Sequence, residues 1–235
     1  MTLTTWTGVS APARDTLDGR YVRLEPLSDS HAPTLFEASA AAGSDDRFRF
    51  MAEHPPTNVT DFERWVAAAS ASADPLFFAV VDRATGRAEG RQALMRIDAA
   101  NGVIEIGSIV WGPSLARTRG ATEAMFLFAD YVFGLGYRRL EWKCNDLNEP
   151  SRRAAERFGF TFEGVFRQHL VVKGENRDTA WFSIVDGEWP ALRAAFVAWL
   201  APENFDAGGQ QRERLTTVRH LFAVGSGRYG EKADR

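Results

Sequence analysis

Alternation of hydrophobic and polar positions marks the strands of this chain. Residues 21–27 alternate apolar and polar side chains, which is typical of a half-buried strand. The same signal returns at residues 76–81, 92–97 and 103–111, and an Asn-Gly pair joins the last two of these stretches. Short turns between consecutive strands favour antiparallel pairing, so we expect a meander.

Spacings of three and four residues between apolar positions mark the helices. Thr60 and Glu63 form a capping box, which predicts that the second helix begins there. The predicted helices are residues 28–42, 60–73, 122–133, 150–158 and 188–200. A strand at 139–144 and a hairpin of 160–172 with 179–185 complete the set. The strand, helix and strand order after residue 103 predicts a βαβ crossover within a mostly antiparallel twisted sheet, hence an α+β fold.

The length and composition predict one domain with accessory ends. The chain has 235 residues, of which 45% are hydrophobic and 25% are charged, as in ordinary globular proteins. Residues 21–200 hold the periodic segments and form the expected domain. Residues 1–20 form an N-terminal arm, and residues 201–235 form a tail. This tail either docks on the domain or on a second subunit, or is a partly disordered terminus.

Charge, cysteine content and apolar runs exclude several classes of function. The formal net charge is -3, so no cationic field favours direct binding of nucleic acid. The single Cys144 cannot form an internal disulfide, which fits a reducing cytoplasm. No stretch reaches the roughly 18 apolar residues of a membrane span. The four histidines are scattered without carboxylate partners, so we expect no metal site.

The strongest chemical signal lies at residues 112–124, between a strand and the central helix. A helix N-terminus presents unpaired amides and partial positive charge, and here Arg117 and Arg119 lie beside it. Such a junction suits a pyrophosphate. The alternative is a simple glycine turn flanked by exposed loop charges.

This segment resembles the acetyl-CoA loop of the GNAT superfamily, written Q/R-x-x-G-x-G/A before a helix. Its Ala-Thr-Glu-Ala ending is similar to the branch of Rim-type ribosomal-protein N-terminal acetyltransferases. Further motifs agree in order along residues 18–188. They are Leu17-Asp-Gly-Arg-Tyr-Val-Arg-Leu-Glu-Pro-Leu27, Glu105-Ile-Gly107, Asn148-Glu-Pro-Ser151, Phe158-Gly-Phe160 and Glu163-Gly164.

The resemblance implies residues that bind acetyl-CoA as co-substrate, with one departure from the family pattern. The family's first Gln/Arg falls on Ala116 and its central glycine on Arg119, whereas Gly120 stands one place later. Arg119 therefore either adopts the glycine backbone or contributes a direct charged contact. Asn148 would bond to the pantetheine arm, and Arg152 would either meet a phosphate or remain a solvated helix charge. The loop residues implied in pyrophosphate binding are Arg117, Thr118, Arg119, Gly120, Ala121 and Thr122.

The resemblance also implies direct attack of an amine on the thioester. A strand amide at Val110 or Trp111 would polarise the carbonyl. The family's usual tyrosine acid aligns with Ala155, so Ser151 is the candidate that protonates the thiolate, or else it only caps the helix. Glu105 is the candidate base, or else pairs with an arginine across the sheet.

A second base and several aromatic residues complete the expected site. The Rim-type glutamate on the sixth strand is replaced by Leu170, so the adjacent His169 is the reserve base. Trp111 is counted with the cofactor contacts, and it either lines an acceptor pocket or belongs to the core.

The expected function is transfer of an acetyl group from acetyl-CoA to a primary amine, either a protein N-terminus or a small molecule. The alternatives are transfer from succinyl-CoA and a non-catalytic acyl-CoA sensor or interaction module. A homodimer is compatible with each of these functions.

Overall fold

The structure, a computed structural model, describes residues 3–226. Its strands are β1 Leu17–Asp18, β2 Val22–Pro26, β3 Leu76–Asp82, β4 Ala88–Asp98, β5 Val103–Trp111, β6 Arg139–Asn145, β7 Thr161–Val172 and β8 Glu175–Val185. Its α-helices are α1 Ala32–Ala40, α2 Ser44–Phe48, α3 Val59–Ala71, α4 Arg119–Gly134, α5 Glu149–Phe158, α6 Trp189–Leu200 and α7 Leu215–Ser226. Short 3-10 helices lie at Asp29–His31 and Pro202–Asn204.

The eight strands form one sheet in the order β1-β2-β3-β4-β5-β6-β8-β7. Every neighbouring pair is antiparallel except β5 and β6, which run parallel because α4 connects them. The α+β fold with a mostly antiparallel sheet and a βαβ crossover is therefore confirmed.

Each face of the sheet has its own apolar core. One core packs α4, α5, α6 and α7 against strands β2 to β6 and β8, with Phe128 and Phe196 fully buried in it. The other core packs α1 and α3 against β3 and β4, through Leu35, Val66 and Ala79. On this second face, β5 to β8 contribute nothing to the apolar core.

Helix boundaries differ from the prediction in several places, and α4 begins at Arg119 instead of residue 122. The predicted capping box at Thr60 and Glu63 is wrong, since Asn58 caps α3 by accepting the amide hydrogen of Asp61 at 2.8 Å. An asparagine caps a helix at least as well as a threonine. With the cap at Asn58, α3 begins two residues earlier than it would with a cap at Thr60. Residues 28–42 form a 3-10 turn and the shorter α1, and α2 was not predicted because it has only five residues.

The described part of the tail docks on the domain. Leu215 and Val218 of α7 belong to the larger core. The Arg219 guanidinium donates to the carbonyl oxygens of Glu156 at 2.7 Å and Arg157 at 3.1 Å, which satisfies the end of α5. Residues 227–235, also assigned to the tail, lie outside the described residues.

The N-terminal arm packs as well, because the Trp6 indole donates to the Ala100 carbonyl at 2.6 Å. Among residues 3–226, no helix combines the length and apolar character needed to cross a membrane.

Candidate active site

A fork in the sheet forms the centre of the site. Strands β5 and β6 pair only from Val103 with Arg139 to Ile106 with Trp142. Beyond this point β5 stays with β4, and β6 stays with β8. Strand edges that face each other without pairing leave backbone groups that an extended ligand can bond. The fork therefore leaves a gap between the two strands in which an extended ligand can bond to the backbone.

A bulge in β5 lies at the mouth of the fork. Gly107 pairs with Ala93 and Val110 with Arg91, so two residues, Ser108 and Ile109, oppose one residue of β4. Ser108 has a φ of 49°, in the left-handed region. This bulge coincides with the strand end from which an amide was expected to polarise the thioester carbonyl.

The Arg91 side chain contacts this bulge from the face of the sheet on which α1 and α3 pack. Its guanidinium donates to the Ser108 carbonyl oxygen at 3.1 Å, pairs with Glu53 and lies 4.3 Å from the Trp65 ring centre. Since carbonyl and amide point in opposite directions across a trans peptide, the Ile109 N–H points away from Arg91. Burial lowers the pKa of Arg91, opposed by Glu53.

The start of α4 lies beside the mouth of the fork. Thr118 is the N-cap, and its hydroxyl accepts the Ala121 amide hydrogen at 3.3 Å. In the part of the chain that the structure describes, the amides of Arg119 and Gly120 have no protein acceptor. They are thus free for a phosphate oxygen. A Cβ on Gly120 would lie 2.9 Å from Val22, so glycine permits close packing of the helix on β2.

The side chains of the predicted phosphate residues are engaged in different ways. The Arg119 guanidinium lies 4.2 Å from the Tyr21 ring centre. Arg119 is the first residue of α4 and does not adopt a glycine-like backbone, and Arg117 takes the positive φ of 65° instead. Thr122 is buried and accepts from Arg157 at 3.1 Å. Arg152 pairs with Asp146. Backbone amides and the exposed Arg117 are the groups left available to pyrophosphate.

The start of α5 lies on the other side of the fork and brings two predicted residues there, Asn148 and Ser151. Cys144, which was not predicted, lies next to Ser151. Asn148 caps the helix, accepting the Ser151 amide hydrogen at 3.2 Å, and its amide nitrogen remains a donor. The Ser151 hydroxyl oxygen accepts from the Trp142 indole at 3.0 Å. Ser151 also hydrogen-bonds the buried Cys144, whose thiol pKa is raised by burial. The Ser151 hydroxyl thus accepts one hydrogen bond from Trp142 and shares a second one with Cys144.

Trp111, expected among the cofactor contacts, lies at the end of β5. Its indole donates to Gln92 at 3.3 Å, and its ring packs edge-on against Phe158 at 6.5 Å between centres. Gln92 in turn donates to the Ala124 carbonyl of α4 at 2.9 Å. Trp111 therefore ties the mouth of the fork to both flanking helices.

Glu105 lies at the base of the fork, on the face opposite Ser151. It is buried, with 3% of its surface exposed, and one carboxylate oxygen accepts from Arg96 at 2.7 Å and from Lys143 at 2.9 Å. Lys143 also pairs with Glu141 at 2.7 Å. The pairing with an arginine of the neighbouring strand, which was the alternative for Glu105, is present, and the role of base stays a prediction.

His169 lies farther out on the same face. Its ring nitrogen hydrogen-bonds the Thr179 hydroxyl at 3.0 Å, and its ring centre is 6.2 Å from that of Trp181. Trp181 in turn lies 3.8 Å from the Lys143 ammonium and 4.5 Å from the Phe166 ring. Lys143 and Trp181 therefore separate His169 from Glu105.

Sequence reasoning missed the buried cations Arg91, Lys143 and the half-buried Arg177. Of these three, only Lys143 stands between apolar neighbours, Trp142 and Cys144, so the sequence carried a signal for that residue alone. A charged residue inside an apolar strand predicts a buried partner or a ligand.

A separate cavity of about 480 Å³ borders the start of α4 and contains Arg20, Tyr21 and Arg119. None of its lining residues belongs to β6 or α5, so it is distinct from the fork. Within residues 3–226, no group of three or more histidine, cysteine, aspartate or glutamate side chains could hold a metal ion.

Comparison with known proteins identifies relatives of this arrangement. The family described as acetyltransferase (GNAT) domain matches residues 22–161, more than half of the chain. The crystal structure of a GCN5-related N-acetyltransferase from Brucella melitensis is 61% identical, with 93% of this chain and 100% of that chain covered and a TM-score of 0.92.

Two more distant relatives extend the comparison. An uncharacterized N-acetyltransferase p20 from Bacillus licheniformis is 30% identical over 117 residues, 48% of this chain and 63% of that protein. The match thus spans less than two thirds of the relative's length. An acetyl transferase from Salmonella typhimurium that modifies the N-terminal serine of ribosomal protein L7/L12 is 16% identical, with coverages of 73% and 99% and a TM-score of 0.63. This last likeness concerns the fold alone.

Proposed function

Because the chain belongs to the GNAT family of acyl-CoA-dependent N-acetyltransferases, we propose that it transfers the acetyl group of acetyl-CoA to a primary amine by direct attack. The observation that carries the proposal is the fork, with a hydroxyl donor on one face and a carboxylate on the other. A thioester threaded between β5 and β6 would lie between Ser151 and Glu105.

The groups that would hold the cofactor lie along this path. The free amides of Arg119 and Gly120 and the exposed Arg117 suit the pyrophosphate. The unpaired edges of β5 and β6 suit the pantetheine amides, and the Asn148 side-chain nitrogen adds a donor near the thiol end. This arrangement fits an extended cofactor that enters at α4 and ends at the base of the fork.

In the proposed reaction, the neutral amine nitrogen attacks the thioester carbonyl and the carbon–sulfur bond breaks. An amide that follows the bulge, from Ile109 to Trp111, stabilises the developing oxyanion. Glu105 accepts the proton that the amine nitrogen loses, directly or through a water molecule, and Ser151 donates its hydroxyl proton to the departing thiolate. His169 remains the reserve base, at the outer end of the acceptor face.

Titration calorimetry with CoA, acetyl-CoA and succinyl-CoA tests the cofactor, and release of CoA thiol with a panel of primary amines tests the transfer. We expect binding of CoA and acetyl-CoA, and thiol release that depends on the amine. Absence of CoA binding to folded protein would overturn the proposal. Binding without turnover of any amine would instead favour the acyl-CoA sensor, and turnover with succinyl-CoA alone would change the acyl group.

A further inference from the structure

Arg177 on β8 is a half-buried cation whose side chain takes part in no hydrogen bond or ion pair within residues 3–226. Its Nε atom is buried and has no acceptor. Burial lowers the pKa of this guanidinium, yet an arginine stays charged in proteins. A cation that is partly removed from water and lacks a partner is stabilised by an anion, which the described chain does not supply.

The surroundings of Arg177 are positively charged overall. It lies close enough to Glu105 and Arg96 for their charges to act on it. Glu105 is already shared by Arg96 and Lys143, so one carboxylate faces three cations. Lys143 has a second carboxylate in Glu141, but Arg96 and Arg177 have no other acidic partner in the described chain. The site thus carries positive charge that its carboxylates do not balance, and this charge favours an anionic ligand.

A second donor on the same face of β8 is also without an acceptor. Trp181 lies four residues from Arg177, so both side chains leave the same side of the strand. The indole N–H of Trp181 is buried and has no acceptor among the residues that the structure describes. Thr179 lies between them and holds His169, which with Phe166 forms the outer wall. Two donors without acceptors in the described chain therefore lie on the same face of β8 as the proposed base.

We propose that these two donors form a subsite that binds an anionic group, a carboxylate or a phosphate, carried by the acceptor amine. The guanidinium of Arg177 holds the group, and the Trp181 N–H donates a further hydrogen bond to it. The inference rests on the proposed function and names the class of its acceptor: amines that bear an acidic group, rather than polyamines, whose additional positive charges Arg96 and Arg177 would repel.

The test compares matched amines with and without the acidic group in wild type and Arg177→Gln. The pairs are alanine with alaninamide, and 3-aminopropyl phosphate with 3-aminopropanol, each with saturating acetyl-CoA. The readout is the kcat/KM for thiol release, taken as the anionic-to-neutral ratio. Because amine basicity differs within a pair, the comparison that counts is how this ratio changes between proteins. Arg167→Gln, an exposed arginine on the same hairpin, is the matched control.

We expect Arg177→Gln to lower the ratio about 10- to 100-fold, as for loss of a charge-assisted hydrogen bond, while neutral amines change little. Arg177→Lys should retain part of the preference, and Arg167→Gln all of it. An unchanged ratio in Arg177→Gln would overturn the inference and leave the proposed function intact. A preference for succinyl-CoA with neutral amines that is lost in Arg177→Gln would also overturn it, because the anion would then belong to the acyl donor.

Two further measurements keep the inference decidable. If none of the four amines reacts, calorimetry of inorganic phosphate with the CoA-saturated protein replaces kinetics, and equal affinity in wild type and Arg177→Gln overturns the inference. Urea unfolding addresses a structural role: since Arg177 has no protein partner, Arg177→Met should be at least as stable as wild type. A clear loss of stability in that variant would show that the arginine serves the fold instead.

Discussion

The two faces of the sheet bury different kinds of side chain. On the face covered by α4 to α7, buried side chains are almost all apolar, and the four phenylalanines Phe78, Phe128, Phe182 and Phe196 are fully enclosed. On the other face, beside the fork, the buried groups include Arg91, Glu105, Glu141 and Lys143. Apolar burial stabilises the fold, whereas desolvated charges do so only when each has a partner.

We therefore expect the apolar face to contribute mainly to stability and the charged face mainly to chemistry. A charge out of water interacts more strongly with other charges, so an electrostatic site needs the second kind of environment. On the face with the charges, the apolar core formed by the described residues stops at β3 and β4, whereas helices α4 to α7 cover the other face. Substitutions on the two faces should therefore have effects of different kinds.

The largest effect on turnover is expected at Glu105. If Glu105 accepts the amine proton, Glu105→Gln should lower the maximal rate by about 10²–10⁴-fold at neutral pH while CoA affinity stays nearly unchanged. A rise in pH should restore part of the rate, because more of the amine is then already deprotonated. Thiol-release kinetics between neutral and alkaline pH measure this.

Glu141→Gln is the matched control for Glu105. It removes the other carboxylate of Lys143 but leaves Glu105 in place. If the loss in Glu105→Gln arose only from a freed lysine, the two variants would be equally slow and neither would recover with pH. Retained turnover in Glu105→Gln across pH, with loss on substitution of His169, would move the base to His169.

The largest effect on stability is expected on the apolar face. Phe128→Ala removes a fully buried ring and should lower the free energy of unfolding by about 3–5 kcal/mol. Below its melting range, this variant should keep its kcat. Urea unfolding with kinetics on the same sample measures both quantities, and Phe162→Ala, at a ring that is 45% exposed, is the control. Equal destabilisation by both variants would contradict the contrast.

Arg91→Met should show the reverse pattern. Removal of the guanidinium frees the Ser108 carbonyl that it holds, so the bulge amides lose their orientation and kcat should fall by roughly 10²-fold, as when an oxyanion donor is lost. Because Met fills a similar volume without a buried charge, stability should change little. Single-turnover kinetics with urea unfolding test this; a stability loss as large as that of Phe128→Ala would contradict it. Arg87→Met, at an exposed arginine paired with Glu37, is the control.

The smallest effect is expected at the outer edge of the charged face. The hydrogen bond from Arg139 lowers the pKa of Glu163 from its usual 4.5. A carboxylate with a lowered pKa stabilises the fold above its unfolded pKa, and this contribution is lost as pH falls through the folded pKa. Glu163→Gln should therefore be slightly less stable than wild type at pH 7, and the difference should vanish toward pH 3. Thermal unfolding across that range measures it, and a difference independent of pH would contradict the assignment.

Much of the fold was predictable because its elements carry local signals. The predicted strands and helices recur in the structure with shifts of a few residues, and the parallel pairing of β5 and β6 follows from the helix that connects them. The sequence motifs also indicated the family and named Glu105, Ser151 and Asn148. The structure brings these three residues to the fork. Short elements such as α2 were missed because five residues carry no periodicity.

The sequence alone determined the periodic elements, the crossover and the residues that match family motifs, because each depends on neighbours within a few positions along the chain. Tertiary structure decided which charges meet. Lys143 reaches Glu105 only because β5 and β6 are adjacent, and Arg91 holds Ser108 only because a bulge turns that carbonyl toward it. Electrostatic partners are set by distance and desolvation in space, which no local pattern encodes.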